Sequence, residues 1–111
     1  MQVLLQRTAA TTTIRLTGDL DTQAAHDFDR ELEAIVPALP AEVVIDLDQL
    51  AYLNSTGIRS FIRLDKQLKA VGKRFVFVGA APRIRRIFQY CGLDTYFVFQ
   101  DDRGNAAATR A

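Results

Sequence analysis

Apolar positions recur along the chain with two periods, and the switches between them mark out its elements. Val3-Leu4-Leu5 is a short apolar run, and Thr13-Ile14-Arg15-Leu16-Thr17 alternates and is rich in β-branched residues. Both read as strands, joined as a hairpin across a polar turn from Ala9 to Thr12. Gly18-Asp19-Leu20-Asp21 breaks the second strand. Thr22 is then a suitable N-cap. Ala24, Phe28, Leu32, Ile35 and Val36 mark one face of a helix that ends before Pro37 and Pro40. Val43 to Leu47 begins as a continuous apolar run, as expected of a strand central in a sheet. Leu50-Ala51-Tyr52-Leu53 reads as a short apolar loop. Ile58, Phe61, Ile62 and Leu68 return to helical spacing and predict a helix from about Ser55 to Val71, stopped at Gly72. Phe75 to Val78 is the fourth strand. Gly79-Ala80-Ala81 turns, and Pro82 opens a third helix in the position that proline favours. Ile84, Ile87, Phe88 and Cys91 form its apolar side, with Arg83, Arg85 and Arg86 solvated and Gly92 at its end. Leu93 to Phe99 closes the pattern, with the character of a last strand.

Two opening strands followed by strand–helix alternation define an α/β fold. The expected architecture is a mixed β-sheet of four to five strands with helices packed on it, its later strands made parallel by right-handed crossovers. Residues 1–100 are expected to form one domain, and 101–111, of low complexity from Asn105 on, a flexible tail.

Composition narrows the function. The 111 residues are 49% hydrophobic, which suits a globular chain with a real core. Fourteen basic and thirteen acidic side chains leave a net charge of +1, which argues against general nucleic-acid binding. No apolar run approaches the length of a membrane span, and the N-terminus lacks the features of a signal peptide. A single cysteine, Cys91, suits a reducing cytoplasm.

The richest chemistry stands at Asn54-Ser55-Thr56-Gly57, where a buried strand and its loop deliver hydroxyls to a helix N-terminus. Such an end carries unpaired N–H groups and a partial positive charge, so a phosphate added to Ser55 is tolerated there. The ordinary alternative is that Ser55 merely caps its helix. Thr56 is a second hydroxyl, and the residues alone leave either as acceptor. Arg59 follows Ser55 by four residues and shares its helical face, placed to pair with a phosphate or to stand solvated. Asp19 and Asp21, with Asp46 and Asp48, allow a metal or phosphoaspartate site; turn chemistry explains them as well. A triad of Ser55 with His26, the only histidine, lacks a nucleophile elbow, because Leu53 stands where its first glycine belongs. Gly79-Ala80-Ala81-Pro82-Arg83 lacks the ending of a phosphate-binding loop.

The stretch from Asp46-Leu47 through Ser55-Thr56-Gly57-Ile58 resembles the phosphoacceptor segment of STAS-domain proteins, the anti-sigma factor antagonists. Their pattern is an apolar strand, Asp-Leu, a short loop, then Asp-Ser-Ser/Thr-Gly-Leu-Gly entering a helix. Leu16-Thr17-Gly18-Asp19-Leu20-Asp21 is similar to the family's Leu-Xaa-Gly-Glu-Leu-Asp. Gly72 to Val78, Pro82 to Ile87 and Gly92-Leu93 also fall where the family has similar residues. Asn54 stands where the family has Asp, and Arg59 where it has a second Gly.

The resemblance implies a cytoplasmic bacterial protein that is a binding switch, needs no cofactor and is not an enzyme. Its partner is an anti-sigma factor, typically a serine protein kinase, bound while Ser55 is unphosphorylated; a serine phosphatase removes the mark. The resemblance picks Ser55 over Thr56. Partner binding is expected at Asp19, Asp21, Asn54, Ser55, Thr56, Gly57 and Arg59. An unregulated STAS scaffold and a receiver-like phosphoaspartate protein are the alternatives.

Overall fold

The computed structural model describes residues 1–8 and 11–100. Strands β1 (Gln2–Arg7) and β2 (Thr12–Leu20) lead to helix α1 (Thr22–Ile35) and a short 3-10 turn, Val36–Ala38. Strands β3 (Glu42–Asp46) and β4 (Leu50–Leu53) follow, then α2 (Ser55–Lys69), β5 (Arg74–Val78), α3 (Pro82–Tyr90) and β6 (Phe99–Gln100). The sheet runs β1-β2-β3-β5-β6, with β4 added on β2. Only β1 and β2 are antiparallel; every other described pairing is parallel. This is the mixed sheet that the strand–helix order predicts.

Four local readings change. Leu50–Leu53 is a strand, not a loop, and it pairs with the far end of β2. β2 itself does not break at Gly18. It continues to Leu20 through a register shift between Gly18 and Asp19, where glycine's φ of 103° accommodates the irregularity. Asp21, not Thr22, caps α1: its carboxylate accepts the Ala24 N–H at 2.9 Å. Thr22 is the helix's first residue. Within Leu93 to Phe99 only the end is strand, since β6 is Phe99–Gln100. Of the polar turn, Ala9 and Ala10 lie outside the described residues, as does 101–111.

The core explains the spacing of the apolar residues. Ile14, Leu16 and Leu20 of β2, Val43 and Ile45 of β3, and Phe75 and Phe77 of β5 all turn to the helices. α1 supplies Phe28 and Leu32, α2 supplies Ile58, Phe61, Leu64 and Leu68, and α3 supplies Ile84 and Phe88. Phe61 sits at the centre, edge-on to Phe28 at 5.8 Å and to Phe77 at 4.9 Å between ring centroids. Such edge-to-face pairs add to the large area each ring buries. Cys91 is not part of this core: it is exposed at the end of α3. The two glycine stops hold. Gly72 and Gly92 both have positive φ, and Lys73 and Leu93 donate their N–H groups back to Leu68 and Phe88.

Among the described residues no helix covers the opposite face of the sheet. A hollow there is lined by Gln6, Thr13, Arg15, Val44, Asp46 and Val76, among others. Asp46 is buried, and its carboxylate accepts Arg15 Nε at 3.3 Å and the Asp48 N–H at 2.9 Å.

Candidate functional site

Helix α2 begins where β4 ends, and one side chain fixes that beginning. Asn54 has extended backbone angles, and its Oδ1 accepts the Gly57 N–H at 3.0 Å. Asn54 is therefore the cap, and Ser55 is not. Ser55 becomes the first helical residue, exposed, and among the described residues its hydroxyl bonds no other group. The capping alternative for Ser55 is thereby answered.

Leu20 anchors the helix start from below. Its carbonyl accepts the Asn54 N–H at 3.4 Å. Gly57 packs against the same residue so closely that a Cβ would lie 2.8 Å from Leu20 Cγ, 2.9 Å from Leu20 O and 2.7 Å from Leu53 Cδ1. Only a residue without a side chain fits there. One turn further on, the buried Ser60 hydroxyl donates to Ala25 O of α1 at 3.4 Å, stitching the two helices together.

The two helix starts also meet through side chains. Asn54 Nδ2 donates to Thr22 Oγ1 at 3.2 Å, and Thr22 Oγ1 lies within hydrogen-bond distance of Thr56 Oγ1, at 3.4 Å. One asparagine thus caps α2 with its oxygen and holds the first residue of α1 with its nitrogen. Thr56 is half-buried beneath this arrangement, whereas Ser55 is open.

The other expected site residues are placed as follows. Asp19 is exposed and aligned with Tyr52 of β4, one of the exposed large hydrophobic residues. Asp21 is exposed and committed to its cap. Arg59 is exposed on α2, and among the described residues it forms no ion pair. The structure therefore brings Asp21, Thr22, Asn54, Ser55, Thr56 and Gly57 together at the two helix starts. Thr22 and Tyr52 were missed as site residues. For Tyr52 the signal was an aromatic residue standing just before a polar cluster.

Asp46 belongs to the helix-free side with Arg15, so the carboxylates do not converge. Among the described residues no group of three or more His, Cys, Asp or Glu stands together to hold a metal ion. His26 lies on the surface of α1 with no hydrogen bond to Ser55. The arginines of α3 divide: Arg83 donates to Ala51 O of β4, Arg85 stacks 4.3 Å over the Phe99 ring, and Arg86 is exposed. Two of the three thus do more than meet solvent. Among the described residues no helix is long and apolar enough to cross a membrane.

Residues 3–100 match the family model of the Mlab, STAS domain, and the chain belongs to the STAS-domain family. It is 32% identical over 93 residues to BtrV of Bordetella bronchiseptica, provisionally named an anti-sigma factor antagonist, covering 84% of this chain and 80% of that one. It is 27% identical over 92 residues to the anti-sigma F factor antagonist of Lysinibacillus sphaericus, covering 82% and 79%. The fold is shared with the anti-sigma factor antagonist SpoIIAA in its unphosphorylated form, at a TM-score of 0.78, 22% identity and coverage of 98% and 96%. The phosphorylated form of the Bacillus protein aligns at a TM-score of 0.71, with 21% identity and coverage of 99% and 100%.

Proposed function

We propose that the chain is a partner-switching protein, an anti-sigma factor antagonist that binds its anti-sigma factor while Ser55 is unmodified. In this reading the anti-sigma factor is also the serine kinase that phosphorylates Ser55, and a serine phosphatase restores binding. The observation that carries the reading is the Ser55 hydroxyl itself: exposed, at the first residue of α2, and spared from capping because Asn54 does that work. The names of the relatives and the two forms of SpoIIAA support it.

The chemistry of the switch is electrostatic. Phosphorylation adds roughly −1.5 to −2 charges at neutral pH. At the start of α2 the helix dipole offsets that charge, so the fold survives. In a closed interface the same charge must lose its water and face whatever the partner presents. Asp19, Asp21, Asn54, Thr56, Gly57 and Arg59 surround or support the hydroxyl and form the contact surface in this reading. Tyr52 joins them as an exposed aromatic residue, a type enriched among the residues that carry binding energy.

The test compares Ser55→Ala with Ser55→Glu for binding to the anti-sigma factor that co-purifies with the wild-type chain from its own cells. Ser55→Ala should bind as wild type does. Ser55→Glu should bind at least tenfold more weakly, a loss of about 1.4 kcal/mol or more. Equal affinities would sink the switch and leave an unregulated scaffold. The phosphate should also be acid-stable; hydroxylamine-labile phosphate would point to an aspartyl acceptor instead.

A further inference from the structure

Two hydroxyls stand side by side at the start of α2, and only one is left open. We infer that Thr22, held by Asn54, selects Ser55 over Thr56 as the phosphoacceptor. The inference rests on the reading of Ser55 as a phosphosite and adds the residue that decides between the two candidates.

The geometry supplies the mechanism. Asn54 Nδ2 donates to Thr22 Oγ1 at 3.2 Å, which occupies a lone pair of that oxygen. The Thr22 O–H is then free to point at Thr56 Oγ1, 3.4 Å away. Phosphoryl transfer requires the acceptor oxygen to attack the γ-phosphorus of a nucleoside triphosphate in line. The Oγ–P bond forms as the bond to the nucleoside diphosphate breaks, and the hydroxyl proton passes to a base of the kinase. Thr56 Oγ1 meets these demands poorly. It already accepts a hydrogen bond, and it is half-buried. Ser55 has neither encumbrance.

The asparagine matters because of its two-sided chemistry. An aspartate, the residue at this position in the family pattern, accepts only. It would take the Thr22 proton for itself and turn it away from Thr56. The amide does the reverse, so in this chain Thr22 is a positioning residue whose orientation depends on Asn54.

The test maps phosphate on the full chain recovered from its own cells. Trypsin releases residues 31–59 as one peptide, because Arg30 and Arg59 flank a stretch without lysine or arginine. Fragment ions then separate Ser55 from Thr56. Wild type should carry phosphate on Ser55 with a trace on Thr56. In Thr22→Ala the Thr56 share should rise roughly fivefold or more, about what one ordinary hydrogen bond is worth. Thr22→Ser, which keeps the hydroxyl, should restore the wild-type ratio. A purely structural role for Thr22 would change total phosphate without moving the ratio. Phosphate confined to Ser55 in all three chains overturns the selection by Thr22 and leaves the phosphosite standing. Phosphate on neither residue in wild type overturns the phosphosite reading and this inference with it. Thr22 is exposed at the first turn of its helix, so all three chains should fold, and matching circular dichroism spectra check that they do.

Discussion

At the scale of single residues, the start of α2 separates two tasks that its sequence leaves merged. Asn54 carries the cap and Ser55 carries nothing structural. Asn54→Ala should therefore cost about 0.5–2 kcal/mol, the usual loss of a capping side chain. Ser55→Ala should stay within about 0.5 kcal/mol of wild type, as for an uninvolved surface residue. Urea unfolding of both variants checks the order, and a larger loss at Ser55 would reverse the assignment. Gly57 is the sharper case. A methyl group there meets Leu20 and Leu53 at under 3.0 Å, and one of the contacts is backbone, which cannot swing aside. Gly57→Ala should cost about 1–3 kcal/mol, as overpacking does. It should also displace the helix start, visible as shifted amide resonances of Asn54 and Ser55. Much of this was legible in the sequence: a polar cluster before a helical period marks a start, and a glycine within it marks a close approach. Which polar residue caps was not legible, because Asn, Ser and Thr all cap well and a one-residue shift in the start exchanges their roles. The same ambiguity put the cap of α1 on Thr22 when Asp21 holds it.

At the scale of elements, strand β4 was hidden and α2 was plain. Leu50-Ala51-Tyr52-Leu53 has its two ends buried and its middle exposed, so it shows no period of two. Its partner is the end of β2, remote in sequence, and no local pattern announces that. Helix α2, by contrast, buries Ile58, Phe61, Leu64 and Leu68 at regular helical spacing. Its far end holds a small polar cluster built on Asp65. Tyr96 Oη donates to Asp65 Oδ2 at 3.0 Å, and Lys69 Nζ stands 3.1 Å from the same oxygen. The hydrogen bond to Asp65 raises the pKa of Tyr96 above its ordinary 10.0 and that of Lys69 above 10.5. Both groups hold their protons more firmly when folded. Their stabilisation is complete below the unfolded values and is lost as pH rises through the higher folded ones. Tyr96→Phe should therefore flatten the decline of stability on the alkaline side of pH 10 and leave its slope near neutrality unchanged. Thermal denaturation across that range measures it, and an unchanged alkaline slope would remove Tyr96 from the cluster's account.

At the scale of the whole molecule, the order of elements gave the mixed sheet and its helical cover, because right-handed crossovers leave few other choices. That order also governs how the chain finds its fold. Among the described residues the hairpin of β1 and β2 is the sheet's one local pairing. The centre of the sheet joins partners far apart in sequence: Arg15 meets Asp46 across 31 residues, and Glu42 meets Arg74 across 32. Each of those pairings closes a long loop before it gains anything, and the entropy of closure must be met by apolar burial made in the same step. The strand shared by both is β3, which delivers Ile45 into the core. Folding should therefore be slower than in helical bundles of similar size, in milliseconds or longer, with β3 already docked at the barrier. Stopped-flow refolding of Ile45→Val should place most of its stability loss in the folding rate, whereas Val3→Ala, on the peripheral β1, should mainly speed unfolding. The segment that presents Ser55 lies between β3 and β5 in the chain, inside the loop that their pairing closes. The Ser55 hydroxyl thus reaches its place only as the central strands lock together, and under the proposed function a chain caught before that step has no assembled site to offer a kinase.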